Sequence, residues 1–205
     1  MRIAEFAHRH YVAERRARVL SSHLANLIPR DARVLDIGCG DGLVAHLIMR
    51  LRPDVLIQGI DVLVRDKTWI PVEPFDGRRL RHGNASVDAV LFVDVLHHAE
   101  DAVELLRESL RVSRRAVLIK DHTLEGFLAG PTLRFMDRTG NLRQGVPLRY
   151  EYWPRQRWLR MFESLNVRVT WKYPLGLYPW PANWVFERRL HFIARLEAGS
   201  VGRPA

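Results

Sequence analysis

The chain of 205 residues is 47% hydrophobic and 27% charged, globular proportions that exclude wholesale disorder and a collagen-like repeat, and its length fits one domain at roughly 150 residues per domain. Its one cysteine, Cys39, excludes an internal disulfide framework and any Cys-rich zinc site. The formal net charge of +9 invites a nucleic-acid partner, but three lysines stand against 29 arginines, a bias that a GC-rich coding background would spread along the chain without function.

Residues 5–28 carry apolar Phe6, Val12, Val19, Leu20, Leu24 and Leu27 at helical spacing, and Pro29 ends that helix because its ring disfavours helix at the residue before it. His8, Arg9, His10, Arg15, Arg16 and Arg18 make the helix basic, which reads as a solvated face or, alternatively, as a contact for RNA phosphates. Residues 33–37 predict a short buried strand, followed by a glycine loop and a helix over 42–51 that stops at Pro53. Residues 55–60 predict a second strand finishing at Asp61. The stretch 62–86 is irregular, with a short strand near 69–72. Strands at 87–93 and 116–119 flank a helix at 99–112. Beyond Asp121 the pattern predicts helices at 124–138 and 155–165 and strands at 167–171 and 185–196, with a rigid Pro- and aromatic-rich loop over 173–184.

Buried strands alternating with helices imply an α/β fold of the doubly wound, Rossmann-like kind, mostly parallel, with helices on both faces. We expect a single domain over 1–205: an N-terminal helix (1–29), a ligand-binding core (30–122), a substrate cap (123–165) and final strands (166–205). The apolar runs, such as 89–93, stop far short of the ~20 residues a bilayer span needs. The N-terminus lacks the apolar core of a signal peptide, so a cytoplasmic location is expected.

The most informative run is Asp36-Ile37-Gly38-Cys39-Gly40-Asp41-Gly42. Glycines at alternate positions between strand and helix let the backbone turn sharply and approach a ligand without a Cβ collision. The dinucleotide fingerprint needs G-x-G-x-x-G, and here the third glycine falls one position early. Asp36 and Asp41 repel phosphate, so the loop suits a cationic ligand better than a diphosphate. Asp61, at the end of the next strand, stands where an acid accepts hydrogen bonds from both ribose hydroxyls of a bound nucleoside.

Together these residues resemble the class I S-adenosylmethionine-dependent methyltransferases of the small-molecule, methyltransferase-11-like type. The resemblance covers roughly residues 30–122 and implies a Rossmann-like sheet with a final antiparallel strand and S-adenosyl-L-methionine as cofactor. It implies cofactor contacts from Asp36, Gly38, Cys39, Gly40, Gly42, Asp61 and Val62. The stretch Phe75-Asp76-Gly77 resembles the segment whose acid meets the adenine amine, which assigns Asp76 to that amine and the Gly77 amide to a ring nitrogen. Val93-Asp94-Val95-Leu96-His97-His98 resembles the motif that closes over the cofactor, which brings in Asp94. Two departures stand out: Val112-Ser113-Arg114-Arg115 replaces the usual Lys-Pro-Gly-Gly turn, and Arg78-Arg79-Leu80-Arg81-His82 replaces a Pro- and Phe-containing stretch.

In an open α/β sheet the ligand lies outside the carboxyl ends of the strands, so His97 and His98 after one strand and Lys120, Asp121 and His122 after the next are the candidates for chemistry. A hydroxyl acceptor must lose a proton; His98 and His122, with Asp121, are the preferred catalytic set. A metal site from His97, His98, Asp121 and His122 is set aside, because adjacent histidines chelate poorly from a strand end. Residues 133–141 and 149–153 are rich in arginine and aromatics, forming either an acceptor pocket or a cap that packs Phe135, Met136 and Trp153 onto the core. A small-molecule acceptor with oxygen as the acceptor atom is the leading reading. The alternatives are an RNA (tRNA or rRNA) methyltransferase, which the charge favours, and a non-catalytic cofactor-binding interaction module. A nicotinamide oxidoreductase is disfavoured by the glycine spacing. The assembly is expected to be a monomer or a homodimer.

Overall fold

The computed structural model describes residues 2–141 and 150–198, the side chains of residues 2–13, Asn141 and Ala198 excepted. The side chains of His8, Arg9 and His10, together with Arg149, therefore lie outside the described residues. The elements run α1 (Arg2–Ala25), β1 (Arg33–Ile37), α2 (Leu43–Leu51), β2 (Leu56–Asp61), β3 (Val72–Pro74), β4 (Val87–Val93), α3 (Ala102–Val112), β5 (Ser113–His122), α4 (Ala129–Asn141), α5 (Arg155–Ser164), β6 (Val167–Lys172), α6 (Asn183–Phe186) and β7 (His191–Ala198).

The strands form one seven-stranded sheet in the order β3-β2-β1-β4-β5-β7-β6. β3, β2, β1, β4 and β5 pair in parallel, whereas β7 runs antiparallel to both β5 and β6. The sheet is the Rossmann-like, mostly parallel one expected, with the last strand reversed.

Strand side chains alternate between two cores, the period-2 consequence of the pleat. Leu35, Ile37, Val90, Phe92, Val117 and Ile119 pack on one face with α3 and with Trp158, Met161 and Phe162 of α5. Val34, Ala89, Leu91 and Leu118 pack on the other with Leu20 and Leu24 of α1, Ala45 and Ile48 of α2, and Leu175 and Leu177. A smaller cluster of Ala129, Leu133, Tyr152 and Leu190 lies in the cap.

Several boundaries differ from the sequence reading, each for a hydrogen-bonding reason. The strand expected near 69–72 forms at Val72–Pro74 instead, because the Trp69 amide is taken by the Asp41 carbonyl and Pro71 reaches β2 through the Gly59 amide. The helix expected from 124 starts at Ala129, since the Thr123 and Leu124 amides donate to the Leu190 and Trp153 carbonyls. α3 passes directly into β5 at Ser113, so the missing Lys-Pro-Gly-Gly turn is not replaced by another turn. The strand expected over 185–196 is corrected to a helical turn, α6, followed by β7 from His191. Glu187 explains the break: its carboxylate turns back to accept the amides of Leu175, Gly176 and Tyr178 at 2.9, 2.8 and 3.1 Å, which pins the Pro- and aromatic-rich loop.

Trp158 locks α5 to the sheet. It is 1% exposed, stacks near Trp153 and Phe192, and donates its indole N–H to the His122 carbonyl at 3.0 Å. A Trp158→Ala variant is expected to lose about 3–5 kcal/mol of stability, measured as the shift in urea unfolding midpoint.

Candidate functional site

The carboxyl ends of β1, β2, β4 and β5 all open on the same edge of the sheet because these strands are parallel. The glycine loop follows β1 there. Gly38, Gly40 and Gly42 adopt φ of 68°, 61° and 79°, the left-handed region that a Cβ penalises. A Cβ on Gly38 would also lie 2.7 Å from Val95, and one on Gly42 would strike Ile70. Nothing lies within 4 Å of where a Cβ of Gly40 would be, so the loop leaves an open cradle at its middle glycine.

Asp61 faces that cradle. It is 8% exposed and accepts the Gly40 amide at 2.7 Å through one carboxylate oxygen and the Leu63 amide at 2.8 Å through the other. Asp36, at the end of β1, is buried with its Oδ1 lacking a hydrogen-bond partner. Burial, reinforced by the negative charge of Asp61, pushes the Asp36 carboxyl up to about 8. An orphaned acid oxygen beside an open glycine cradle fits a ligand carrying positive charge, such as the amino acid end of S-adenosylmethionine. The Cys39 thiol is pushed up by burial and by the nearby Asp36 and Asp61 charges, so it is no nucleophile.

Next to Asp61, Val62, Leu63 and Val64 are exposed apolar residues at 62%, 41% and 42%. Val62 is brought against Gly77, where a Cβ would stand 3.3 Å from its Cγ1. Asp76 is exposed, and its Oδ1 accepts the Arg78 and Arg79 amides at 2.8 and 3.0 Å. Those two bonds hold the Asp76 carboxyl below its ordinary value and shape the turn in which the arginine-rich departure sits. Asp61, Val62 and Gly77 therefore share one edge, and Asp76 is placed on its rim.

Asp94, just past β4, takes a left-handed φ of 58°, which for a residue other than glycine is a strained choice. Its carboxylate meets Lys120 of β5 and Arg16 of α1, with His122 Nε2 at 3.3 Å. Burial works against its charge, but Lys120 and then Arg16 hold the carboxyl well below the ordinary range. Lys120 is 0% exposed; burial draws its ammonium down to about 8, with Asp94 opposing. His122 and His191 are buried beside it, and burial followed by the Lys120 charge keeps both imidazoles neutral. Asp94 is thus engaged by two cations of the chain at the carboxyl end of β4.

The second half of the site is a set of rings. His97 and His98 lie in a turn, closed by the His98 and Ala99 amides donating to Val95 and Leu96, and not in a strand, so their rings stand together at 4.0 Å between centroids. Asp121 is 0% exposed and fully used: it accepts the Leu96 amide at 3.0 Å, the His122 amide at 2.7 Å, and pairs with His97 Nδ1 at 2.7 Å. A carboxylate so enclosed cannot touch a substrate, so the expected catalytic role of Asp121 becomes one of positioning, and the ring it positions is His97 and not His98 or His122. Burial opposes the charge on His97, yet Asp121 and then Asp137 raise it to about 10. His98 Nε2 lies 3.4 Å from Asp137 Oδ1, and Tyr152 donates its hydroxyl to Asp137 Oδ2 at 2.9 Å. The Nδ1 atoms of His98 and His122 are buried without a hydrogen-bond partner.

Sequence reasoning missed Arg16, Asp137, Tyr152 and His191. Arg16 carried no signal, being one of 29 arginines on a helix read as solvated; of Arg15, Arg16 and Arg18, only Arg18 is exposed. Asp137 and Tyr152 were inside the aromatic cap segment, and only packing shows which of its residues face inward: Trp153 is buried in the core while Phe135 stays 57% exposed against Phe186.

A family model described as a methyltransferase domain matches residues 8–170. A methyltransferase of Mycobacterium tuberculosis, described as uncharacterized, is 31% identical over 177 residues, covering 83% of this chain and 80% of that protein. The 27-O-demethylrifamycin SV methyltransferase of Amycolatopsis mediterranei is 32% identical over 110 residues, covering 46% of this chain and 40% of that one. Among solved structures, a Thermotoga maritima S-adenosylmethionine-dependent methyltransferase described as a possible histamine N-methyltransferase superposes with a TM-score of 0.62 at 16% identity, covering 95% of each chain; at that identity the likeness is one of fold. No described helix is long and apolar enough to cross a membrane.

Asp36 yields a pH-dependent prediction. Its folded value, about 8, is raised above the ordinary 3.8, so the stability tied to its proton is whole below about 4 and is lost as pH climbs towards 8. Asp36→Asn carries no such loss. The variant's stability relative to the parent is expected to rise by more than about 1 kcal/mol between pH 4 and pH 8 and then level off, read from urea midpoints across that range without cofactor.

Proposed function

The chain belongs to the methyltransferase-domain family and is a class I S-adenosylmethionine-dependent methyltransferase, and on that footing we propose that it moves the methyl group to an oxygen of a small-molecule acceptor by in-line displacement. The observation that carries this reading is the group of three histidines, His97, His98 and His122, packed within one crevice, with ring centroids 4.0 and 4.9 Å from His97. A neutral amine attacks through its lone pair before it sheds a proton, whereas a hydroxyl is a poor nucleophile until a base takes its proton. The relative named for 27-O-demethylrifamycin SV points the same way.

Bound S-adenosylmethionine supplies a methyl carbon already activated by its sulfonium, so holding the reacting atoms about 3 Å apart provides much of the acceleration. Asp61 takes the ribose hydroxyls with the carboxylate it now turns to Gly40. Asp36, Gly38, Cys39, Gly40 and Gly42 cradle the amino acid end, where the charge complements the Asp36 acid. Val62 and Gly77 enclose the adenine, with the Gly77 amide on a ring nitrogen and Asp76 on the amine. Asp94, its charge balanced by Lys120 and Arg16, would close the cofactor side of the crevice at the end of β4. His122, neutral and with a free Nδ1, takes the acceptor's proton; His98 directs the acceptor oxygen, and Asp121 holds the His97 ring behind it. α4 with Tyr152 covers the acceptor and keeps water out, which favours the dispersal of charge in the transition state.

Nucleic acid is the weaker acceptor because much of the basic excess serves the fold. Arg16 is engaged by Asp94. Arg52 donates to the carbonyls of Ala25, Ile28 and Pro29, and Arg111 donates to those of Leu80 and His82.

Methyl transfer from labelled S-adenosylmethionine to hydroxyl compounds, amines and bulk RNA separates the readings. We expect label on a hydroxyl compound and weak, sequence-blind RNA retention; RNA methylation with a steep salt dependence would overturn the small-molecule acceptor. Asp61→Ala is expected to weaken S-adenosylhomocysteine roughly 10- to 100-fold by calorimetry, the equivalent of losing charged hydrogen bonds worth about 1.5–3 kcal/mol.

A further inference from the structure

The ring cluster has a partner that the sequence did not place beside it. His97, His98 and Asp137 each bring one donor atom to a common point, all within 4.8 Å of one another. His98 Nε2 stands 3.4 Å from Asp137 Oδ1 and His97 Nε2 stands 3.9 Å from the same oxygen. A tetrahedral ion about 2.0–2.1 Å from each donor spaces its ligands roughly 3.4 Å apart; the His98–Asp137 pair already has that spacing, His97 closes on Asp137 by about half an ångström, and the two imidazoles, within 4.8 Å of one another, close by up to about 1.4 Å.

Three further features are those of a built site. First, His97 Nε2 is buried, on a side chain 1% exposed, and has no hydrogen-bond partner. A buried donor or acceptor left unmatched is costly, and a divalent ion between the two imidazoles and the carboxylate takes the place of the proton that Asp121 and Asp137 favour on this ring, the proton leaving to solvent as the ion enters. Second, both buried ligands are held from behind. Asp121 fixes His97 through Nδ1 at 2.7 Å, which leaves Nε2 as the coordinating atom, and the Tyr152 hydroxyl fixes Asp137 through Oδ2 at 2.9 Å. Outer-sphere bonds of this kind orient the ligands of protein metal sites. Third, His97 and His98 sit in a turn whose rings face the same way, which removes the objection that neighbours in a strand point to opposite faces. The two carboxylates flanking His97, Asp121 and Asp137, supply the negative charge that a divalent ion requires.

We propose that His97 Nε2, His98 Nε2 and Asp137 Oδ1 bind a first-row divalent transition ion of the kind that two imidazoles and one carboxylate suit, zinc or cobalt. Three protein ligands leave a fourth position, and an acceptor hydroxyl entering it loses its proton more readily because the ion stabilises the alkoxide oxygen. The released proton goes to His122 or solvent, and no electron changes hands. The ion ties α4 of the cap to the turn after β4, so it also orders the acceptor side of the crevice. Its use in oxygen methylation rests on the acceptor reading above; its binding does not.

The test uses chelator-treated full-length protein, titrated with Co2+ in the absence of cofactor and acceptor. One equivalent is expected to give the intense visible bands of tetrahedral cobalt, and Zn2+ is expected to displace them. Asp137→Asn and His98→Ala should each weaken Co2+ at least tenfold while S-adenosylhomocysteine binding, which reports an intact fold, stays within twofold. Tyr152→Phe should weaken the ion roughly tenfold through the lost outer bond. Absence of tetrahedral bands in the parent protein would overturn the site, as would equal Co2+ affinity in the parent and both ligand variants. Either result leaves the methyl-transfer reading standing, whereas failure to methylate any hydroxyl compound with the Co2+ titration intact would remove the acceptor reading alone.

Discussion

Lys120 sits wholly buried at the carboxyl end of β5, and the site is organised around keeping that charge there. An isolated buried ammonium costs several kcal/mol, so it must be paired and further bonded. Asp94 does this from the end of β4, in a left-handed backbone conformation that turns its carboxylate back over the strand ends. Arg16 reaches the same carboxylate from α1, which makes the docking of the N-terminal helix and the electrostatics of the crevice one problem. Burial, followed by the Lys120 charge, keeps the neighbouring His122 and His191 neutral.

A buried acid, Asp121, does for the ring side what Asp94 does for Lys120. It accepts from two amides and one imidazole, so it ties the turn after β4 to the end of β5. Asp94 follows β4 and Asp121 lies on β5, and they take different partners because successive residues of β5 point to opposite faces: Lys120 turns towards Asp94, and Asp121 turns towards His97. This alternation separates a cationic pocket floor from an imidazole wall within one short stretch of chain.

α4 completes the division of labour. The small apolar cluster of Ala129, Leu133, Tyr152 and Leu190 anchors it over the strand ends, and Asp137 is thereby carried to the histidines. The exposed Phe127 and Phe135, at 83% and 57%, stay outside that cluster, so the aromatic richness of this segment is only partly spent on packing.

By itself the sequence determined the parallel core strands β1, β2, β4 and β5, the glycine loop with Asp36 and Asp61, and the methyltransferase family, because these depend on local rules: buried apolar runs, glycine at left-handed positions and an acid at a strand end. β1 and β4 formed over the very residues expected. It did not determine the break before β7, since Glu187 acts on amides nine to twelve residues away. Nor did it indicate Arg16, Asp137 or Tyr152, whose partners are 15 to 78 residues distant. Such pairings arise only when the sheet brings remote segments to one edge, and one arginine or aspartate looks like another until burial singles it out. Tertiary structure alone decided which histidine Asp121 holds, for the turn at 96–98 rotates two adjacent rings to one side where a strand would have parted them.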